Sequence, residues 1–193
     1  GAGMLGLPEW VLPALAQGET LVPFTDMPEN FPAGSGERRF YDIRKIDGPF
    51  TPTDQFYTIQ HYGHPVVDPA TFRLKVTGLV NRPVSLSLDE IRGLGRAELA
   101  AGFECSGNRR PLQALCSNGR WTGVPLRAVL DRAGVKPEAR EVVFFGADRG
   151  QEEVEFRAQK FTVEQQFGRS FSREKAMSPD PLLAYALNGE PLT

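Results

Sequence analysis

A cysteine at the start of a small polar turn is the part of this sequence best suited to chemistry. Cys105 ends an apolar run that begins at Leu99, and Ser106, Gly107 and Asn108 follow it directly. A run of this kind predicts a strand that delivers a thiol to a loop at the edge of a sheet, where a ligand can reach the sulfur.

Two arginines, Arg109 and Arg110, stand immediately after this turn. Guanidinium groups favour the thiolate form of a nearby cysteine and offer forked hydrogen-bond donors to an anion. Two other interpretations stay open, because an isolated cysteine is commonly a small buried apolar residue and Cys105 could also pair with Cys116 in a disulfide. The residues alone therefore leave three alternatives for Cys105: a reactive or metal-binding thiol, a buried apolar residue, or one half of a disulfide.

The composition limits the kinds of protein that this chain can be. Its 193 residues suffice for one domain with its own core. A net charge of -2 argues against a nucleic-acid-binding surface, and no apolar run is long enough to span a bilayer. The 20 glycines and 16 prolines favour a loop-rich fold with short strands over a helical bundle.

The elements that must position the turn are mostly short strands. Alternating or apolar patterns predict strands over residues 56–62, 72–77, 84–86 and 99–105, a buried strand over 141–146, and weaker strands over 154–156 and 161–163. Residues 108–121 are predicted as a loop and residues 167–172 as a turn. The buried strand delivers Asp148 to a turn at its carboxyl end, and we expect Phe144 and Phe145 in the core.

Two short helices interrupt this pattern. Ser87 and Glu90 form a capping-box pattern that predicts a helix as far as about Gly93. Pro125 is a good first helical residue, and the apolar positions that follow it predict a helix that ends at Gly134. Many short strands with few helices and no alternation of strand and helix predict the α+β class with mixed β-sheets.

Residues 1–18 differ from the rest of the chain. They are apolar and end in Ala14-Leu15-Ala16, the small-residue pattern that signal peptidase cleaves. This pattern predicts the remnant of a signal peptide and a periplasmic or otherwise exported protein, with the domain over residues 19–193. The alternative is an N-terminal arm held by Trp10.

Several sequence blocks together resemble a known family. Residues 104–110, Glu-Cys-Ser-Gly-Asn-Arg-Arg, resemble the Cys-Ala/Ser-Gly-Asn-Arg signature of the sulfite oxidase family of molybdopterin enzymes. Residues 56–61, 72–91 and 121–134 are similar to further blocks of that family in the same order, the last containing its Trp-x-Gly-x-x-Leu motif. Residues 182–192 resemble its Leu-Leu-Ala-Tyr-x-Met-Asn-Gly-x-Pro-Leu run, so the resemblance covers roughly residues 20–193.

The resemblance implies a sulfite-oxidase-type molybdopterin-binding fold and a molybdenum–molybdopterin cofactor whose metal is ligated by Cys105. It implies that Arg110 binds an oxyanion substrate beside Cys105, and that the chain transfers an oxygen atom to or from a small sulfur oxyanion or related molecule with two electrons. It further implies that the cofactor is contacted by Tyr57, Gln60, His61, Cys105, Ser106, Asn108, Arg109, Asp148 and Ser170. Because no haem motif is present, a separate cytochrome or other electron acceptor is implied as the partner.

The sequence departs from the family pattern at three places. Ile59 stands where the family has a substrate-facing arginine, which argues against sulfite itself as the substrate. Phe167 stands where a tyrosine often occurs. Since residue 193 precedes the family's later cofactor segments and its dimerisation domain, we expect an incomplete domain that forms a homodimer only as part of a longer chain. A non-catalytic or cofactor-free binding module on the same scaffold is the alternative function.

Overall fold

The computed structural model describes residue 34, residues 38–109 and residues 113–192. The predicted signal remnant at residues 1–18 and Arg110 lie outside these residues. The chain divides into two compact units. Unit 1 comprises Gly1–Ile59 and Ala100–Arg120, and unit 2 comprises Gln60–Leu99 and Trp121–Thr193.

Strands outnumber helices among the described residues, which confirms the predicted α+β class. The strands are β1 (Leu74–Val76), β2 (Val84–Leu86), β3 (Ala97–Glu104), β4 (Cys116–Pro125), β5 (Glu141–Phe145), β6 (Gly150–Phe156), β7 (Gln159–Gln165), β8 (Gly168–Ser172), β9 (Leu182–Leu187) and β10 (Glu190–Pro191). The helices are α1 (Leu88–Arg92), α2 (Leu126–Ala133) and α3 (Arg173–Ala176), and two 3-10 turns cover Ile43–Lys45 and Thr53–Gln55. No helix of the described chain is both long and apolar enough to cross a membrane.

Unit 2 contains several small antiparallel ladders. Strand β1 pairs with β2, β5 with β8 and β6 with β7, while β9 lies between β10 and the second half of β4. The register of β4 against β9 shifts between Thr122 and Gly123. A Cβ atom at Gly123 would collide with the Leu183 carbonyl group, so β9 can approach β4 closely only because residue 123 has no side chain.

The core of unit 2 forms around α2. Its apolar face is divided between two clusters, because Val129 packs with Leu86, Ile91 and Val124 while its neighbours Leu126 and Leu130 pack with Ala176. Both predicted helices are confirmed. Helix α1 has the Ser87–Glu90 capping box, and α2 ends at a glycine cap at residue 134.

Unit 1 is built on the ends of β3 and β4, residues 100–104 and 116–120. Among the residues of unit 1 that the structure describes, the buried apolar side chains are Tyr41, Phe56, Ala114 and Leu115. The Tyr41 N–H donates to the Ala114 carbonyl oxygen at 3.0 Å, so the segment before β4 is held against the N-terminal part of the unit.

Three local predictions are wrong, because the pairing partners lie far away in the sequence. Residues 56–62 form no strand: only Thr58 makes a β-bridge, to Arg39, and the Tyr57 N–H donates to the Ser117 hydroxyl. The predicted loop over residues 108–121 contains the start of β4, and the predicted turn over residues 167–172 is β8. The ladder with β5 satisfies the backbone of β8, although Gly168 and Ser170 are ordinary turn residues.

The predicted buried strand over residues 141–146 is buried on one face only. Strand β5 pairs with β8 in a two-stranded sheet, and Val142 and Phe144 pack against the cluster around Leu130. The other face is open, so Val143 is 51% exposed and Phe145 69% exposed. The expectation that Phe145 belongs to the core is therefore wrong.

Candidate functional site

Cys105 follows β3 directly and begins the predicted turn. Its N–H donates to the Leu115 carbonyl oxygen at 2.9 Å, and the Asn108 N–H donates to the Cys105 carbonyl oxygen at 2.8 Å. The Asn108 side chain ties both sides of the turn, because its Oδ1 accepts the Leu115 N–H at 3.1 Å and its Nδ2 donates to Glu104 Oε1 at 2.8 Å. Four hydrogen bonds therefore fix the backbone that carries the thiol.

The Cys105 thiol is half-buried and free. The Gly107 N–H donates to its Sγ at 3.4 Å, which suits a sulfur that carries negative charge. Cys116 is also a free cysteine, so the disulfide interpretation is wrong for this structure. Burial raises the pKa of the Cys116 thiol and the nearby Glu104 carboxylate raises it further, which keeps this second thiol neutral.

Tyr57 lies in the same unit as the cysteine turn. Its ring stacks on Phe56 with centroids 5.9 Å apart, and its N–H donates to the Ser117 hydroxyl at 3.1 Å. Burial raises the pKa of the Tyr57 phenol, and electrostatic interactions with Cys105, Cys116 and Glu104 raise it further. The phenol is therefore a neutral group within electrostatic range of both sulfurs.

Unit 2 carries an open groove of about 480 Å³ over the exposed face of β5 and β8. Val143 lies opposite Ser170 in the ladder, and Phe145 lies opposite Gly168. Because residues opposite each other share a face, these four line the groove together. The groove therefore combines apolar surface with a hydroxyl from a predicted cofactor-binding residue.

His61 lines the same groove and contacts an acidic residue. Its Nε2 lies 2.8 Å from Glu152 Oε1, and the Tyr62 hydroxyl donates to that same oxygen at 2.5 Å. The hydrogen bond to Glu152 raises the pKa of Tyr62 to about 12. The donors of Tyr62 and then His61 lower the pKa of Glu152, so a neutral phenol and an imidazole share an ionised carboxylate.

Phe167 lines this groove and forms a hydrogen bond with Asp148, another predicted site residue. Its ring lies 5.7 Å from the His61 ring, and the Arg169 guanidinium lies 4.4 Å from the Phe167 centroid. The Phe167 N–H donates to Asp148 Oδ1 at 3.3 Å. Asp148 therefore holds the backbone that carries Phe167, and the Phe167 ring contacts both the imidazole and a guanidinium cation.

The predicted site residues fall into two groups within the described part of the chain. Unit 1 holds Tyr57, Cys105, Ser106, Asn108 and Arg109, with Ser106 and Arg109 exposed on the cysteine turn. Unit 2 holds Gln60, His61, Asp148 and Ser170, of which His61 and Ser170 line one groove. Gln60 instead contacts His64, with its Nε2 2.7 Å from the histidine Nε2.

Six polar or charged residues of the groove were not predicted: Tyr62, Glu141, Glu152, Gln165, Gln166 and Arg169. Tyr62 is adjacent to His61, so a search for partners of that histidine could have included it. Glu152 is 91 residues away from His61 in the sequence, and nothing in the local pattern relates the two.

The donor set fits a metal that enters with ligands of its own. Among the described residues, no group of three or more His, Cys, Asp and Glu side chains comes together that could hold a bare ion. Cys105 offers one soft sulfur ligand, which suits a metal already bound by the sulfurs of an organic cofactor. Four hydrogen bonds fix the turn around this sulfur.

Comparison with known proteins gives three consistent matches. The profile of the family described as oxidoreductase molybdopterin binding domain matches residues 61–193. NADH nitrate reductase of Hordeum vulgare is 38% identical over 164 residues, which cover 75% of this chain and 17% of the reductase. Sulfite oxidase of Gallus gallus is 35% identical over 161 residues, which cover 74% of this chain and 33% of the oxidase.

A solved structure extends the comparison to the fold. The crystal structure of the sulfane dehydrogenase SoxCD from Paracoccus pantotrophus matches with a TM-score of 0.68 and 24% identity, over 97% of this chain and 52% of that chain. This match confirms the predicted molybdopterin-binding fold. The chain spans one third or less of the length of the two relatives above, and about half of the matched SoxCD chain.

Proposed function

This chain belongs to the oxidoreductase molybdopterin binding domain family, and on that premise we propose that it holds a molybdenum–pterin cofactor with Cys105 as the protein's metal ligand. The observation that carries this proposal is the free, half-buried Cys105 thiol in a turn fixed by four hydrogen bonds. The resemblance to the sulfite oxidase family, which the comparisons confirm, assigns the metal ligand to this position.

When bound, the cofactor supplies two-electron redox chemistry and the exchange of one oxygen atom. The residues of unit 1 hold the Cys105 sulfur in place and stabilise its thiolate form, in which it can bind a metal. Cys105 must lose its proton to bind a metal, and the Gly107 N–H at 3.4 Å stabilises the negative sulfur. Asn108 holds the turn in place, and the neutral Tyr57 phenol offers a hydrogen-bond donor near the sulfur.

Unit 2 offers contacts of the kind that a flat, polar ring with a phosphate needs. Val143 and Phe145 give an apolar surface for one face of a ring, while Ser170 and His61 supply polar groups at its edge. The resemblance assigns the further cofactor contacts Gln60, Asp148, Ser106, Asn108 and Arg109.

We propose a small sulfur oxyanion or a related molecule as the substrate, contacted by Arg110 as the resemblance assigns. Ile59 stands at the position of the family's substrate-facing arginine, and its side chain is 45% exposed. A charge-assisted hydrogen bond is worth about 1.5–3 kcal/mol, so its absence weakens oxyanion binding by about 10- to 150-fold. Ile59→Arg should restore tighter sulfite binding by about this factor, and an unchanged KM for sulfite would contradict this assignment.

The metal-binding experiment tests the proposal directly. The chain is purified from cells that synthesise molybdopterin, molybdenum is measured by mass spectrometry, and the pterin by fluorescence of its oxidised form. We expect equal amounts of metal and pterin in the wild type, and no retained metal in Cys105→Ser. Cys116→Ser is the matched control and should keep both. Full metal retention in Cys105→Ser would refute ligation, and a wild type without pterin would refute the proposed function.

Electron transfer, location and assembly belong to the same proposal. Electrons leave to a separate cytochrome or other acceptor, the protein works in the periplasm or otherwise outside the cytoplasm, and a homodimer forms only in a longer chain. Reduction of added cytochrome c by substrate and the loaded protein tests the first of these. The absence of cytochrome reduction by a loaded protein that turns over with a dye would argue for a different acceptor.

The second candidate is a cofactor-binding or cofactor-free module without turnover. The apolar Ile59 at the substrate position favours it. A loaded chain that stays inactive with sulfite, sulfane sulfur and nitrate would support the module, whereas turnover with any of them would exclude it.

A further inference from the structure

One carboxylate oxygen in the groove of unit 2 accepts two hydrogen bonds. Glu152 Oε1 lies 2.8 Å from His61 Nε2 and 2.5 Å from the Tyr62 hydroxyl. A carboxylate can only accept, so Nε2 of His61 must carry the proton in this contact. The contact therefore selects one tautomer of the neutral imidazole and leaves Nδ1 as the ring nitrogen that a ligand can engage.

The protonation states of the two partners support this reading. The pKa of Glu152 is lowered by the Tyr62 and His61 donors, while that of Tyr62 is raised to about 12. Near neutral pH the carboxylate is ionised and the phenol keeps its proton. Tyr62 therefore holds Glu152 Oε1 in place while the same oxygen holds the imidazole.

Strand β6 places Glu152 beside the space that the Tyr62 ring occupies. Gly150 and Glu152 are two positions apart on β6 and so lie on the same face of the strand. A Cβ atom at residue 150 would overlap the Tyr62 ring, which means that the ring occupies the space that Gly150 leaves. The His61 and Tyr62 rings meet edge to face, with centroids 4.4 Å apart, and Phe167 lies on the imidazole as well.

We propose that Glu152 and Tyr62 are positioning residues for His61: they fix its Nε2–H tautomer and its ring orientation, so that Nδ1 meets the cofactor. This inference rests on the proposed function, in which His61 contacts the pterin group. A carboxylate that orients a functional histidine through its second nitrogen is a common arrangement, and its loss weakens the first contact about 10- to 100-fold at metal sites. In this chain, the contact that would be weakened is the one between His61 and the cofactor.

The chain contains two histidines, and the second is an internal reference. His64 Nε2 lies 2.7 Å from the amide nitrogen Nε2 of Gln60, which can only donate. His64 is therefore expected as the Nδ1–H tautomer, opposite to His61. One spectrum of the chain labelled with ¹⁵N-histidine reports both tautomers, without any cofactor.

The tautomer experiment uses that spectrum at about pH 9, where imidazole groups are neutral. In the wild type we expect the two histidines as opposite tautomers. Glu152→Ala should move the two ¹⁵N shifts of His61 towards each other, whereas Glu152→Gln, which keeps an acceptor oxygen, should preserve the wild-type pattern. Glu155→Ala removes a carboxylate from the opposite face of β6 and is the matched control. An unchanged His61 spectrum in Glu152→Ala would overturn the proposal.

Cofactor retention is the second readout. Pterin retained per chain after dialysis should fall about tenfold in Glu152→Ala and remain at the wild-type level in Glu155→Ala. Gly150→Ala, which displaces the Tyr62 ring, should give an intermediate loss in a folded protein. Undiminished retention in Glu152→Ala would overturn the positioning role even if the tautomer changes. Absence of pterin from the wild type would refute the proposed function, and the tautomer spectra would then decide the positioning role alone.

Discussion

Asn108→Ala tests whether the turn that presents Cys105 depends on one amide side chain. In the structure, Asn108 Oδ1 accepts the N–H of Leu115 at 3.1 Å, and Nδ2 donates to Glu104 Oε1 at 2.8 Å. The substitution removes both bonds and adds no new group. We expect a less stable turn and a thiol that reacts faster with external reagents.

The expected loss of stability in Asn108→Ala depends on how exposed Leu115 and Glu104 are. Leu115 is 4% exposed, so its N–H would lose its acceptor in a site that water reaches poorly, which costs about 1–3 kcal/mol. Glu104 is exposed, so water replaces the lost donor there and the cost is small. With a urea dependence of about 2 kcal/mol per molar, the unfolding midpoint should fall by about 0.5–1.5 M.

The assay compares the urea unfolding midpoints of Asn108→Ala and Glu104→Gln, with tryptophan fluorescence as the signal. Glu104→Gln is the control, because it keeps an acceptor oxygen for Asn108 Nδ2 and does not touch the bond to Leu115. The reaction rate of Cys105 with a thiol reagent, measured in a Cys116→Ser background, gives a second readout. If Asn108→Ala and Glu104→Gln unfold at the same midpoint and their thiols react equally fast, Asn108 does not hold the turn.

Three further predictions concern the rest of the fold. Leu130→Ala removes a buried side chain beside α3 and should lower the free energy of unfolding by about 2–5 kcal/mol, measured by urea unfolding; a loss below about 1 kcal/mol would contradict the packing of Leu130 against Ala176. Gly123→Ala places a methyl group against the Leu183 carbonyl and should cost about 1–3 kcal/mol through displacement of β9, which calorimetry would detect; wild-type stability would contradict the close approach. The raised pKa of Tyr62 stabilises the folded chain below the ordinary value of 10.0, and this contribution disappears as the pH rises towards about 12. Ultraviolet titration should therefore find a late tyrosine that titrates earlier in Glu152→Ala, and identical titrations would contradict the hydrogen bond.

The sequence was most informative where the physical cause is local. The capping box at Ser87 and the helix of α2 each depend on neighbours a few residues away, and both are confirmed. The strand that leads to the cysteine is confirmed as well, since its apolar run is contiguous in the sequence. The resemblance to the sulfite oxidase family rests on residues that are contiguous in the chain, and the family is confirmed as well. Ligation of the metal by Cys105 stays a prediction, as do the roles assigned to the other site residues.

Predictions that needed a distant partner were less successful. Residues 167–172 contain the residues of a turn, yet they form β8 because β5 offers a matching backbone. Phe145 belongs to an apolar run, yet it is exposed because the β5–β8 sheet is covered on one face only. In both cases the deciding interaction joins segments that the local pattern does not relate.

The sequence by itself determined the family, the α+β class and the place of the thiol, because short-range pattern and contiguous motifs are written along the chain. Only the tertiary structure decided which groups surround His61. Glu152 reaches that ring from 91 residues away, and Gly150 makes room for the Tyr62 ring by having no side chain. Such contacts arise from strand pairing and close packing, which depend on distances in space that no local sequence pattern encodes.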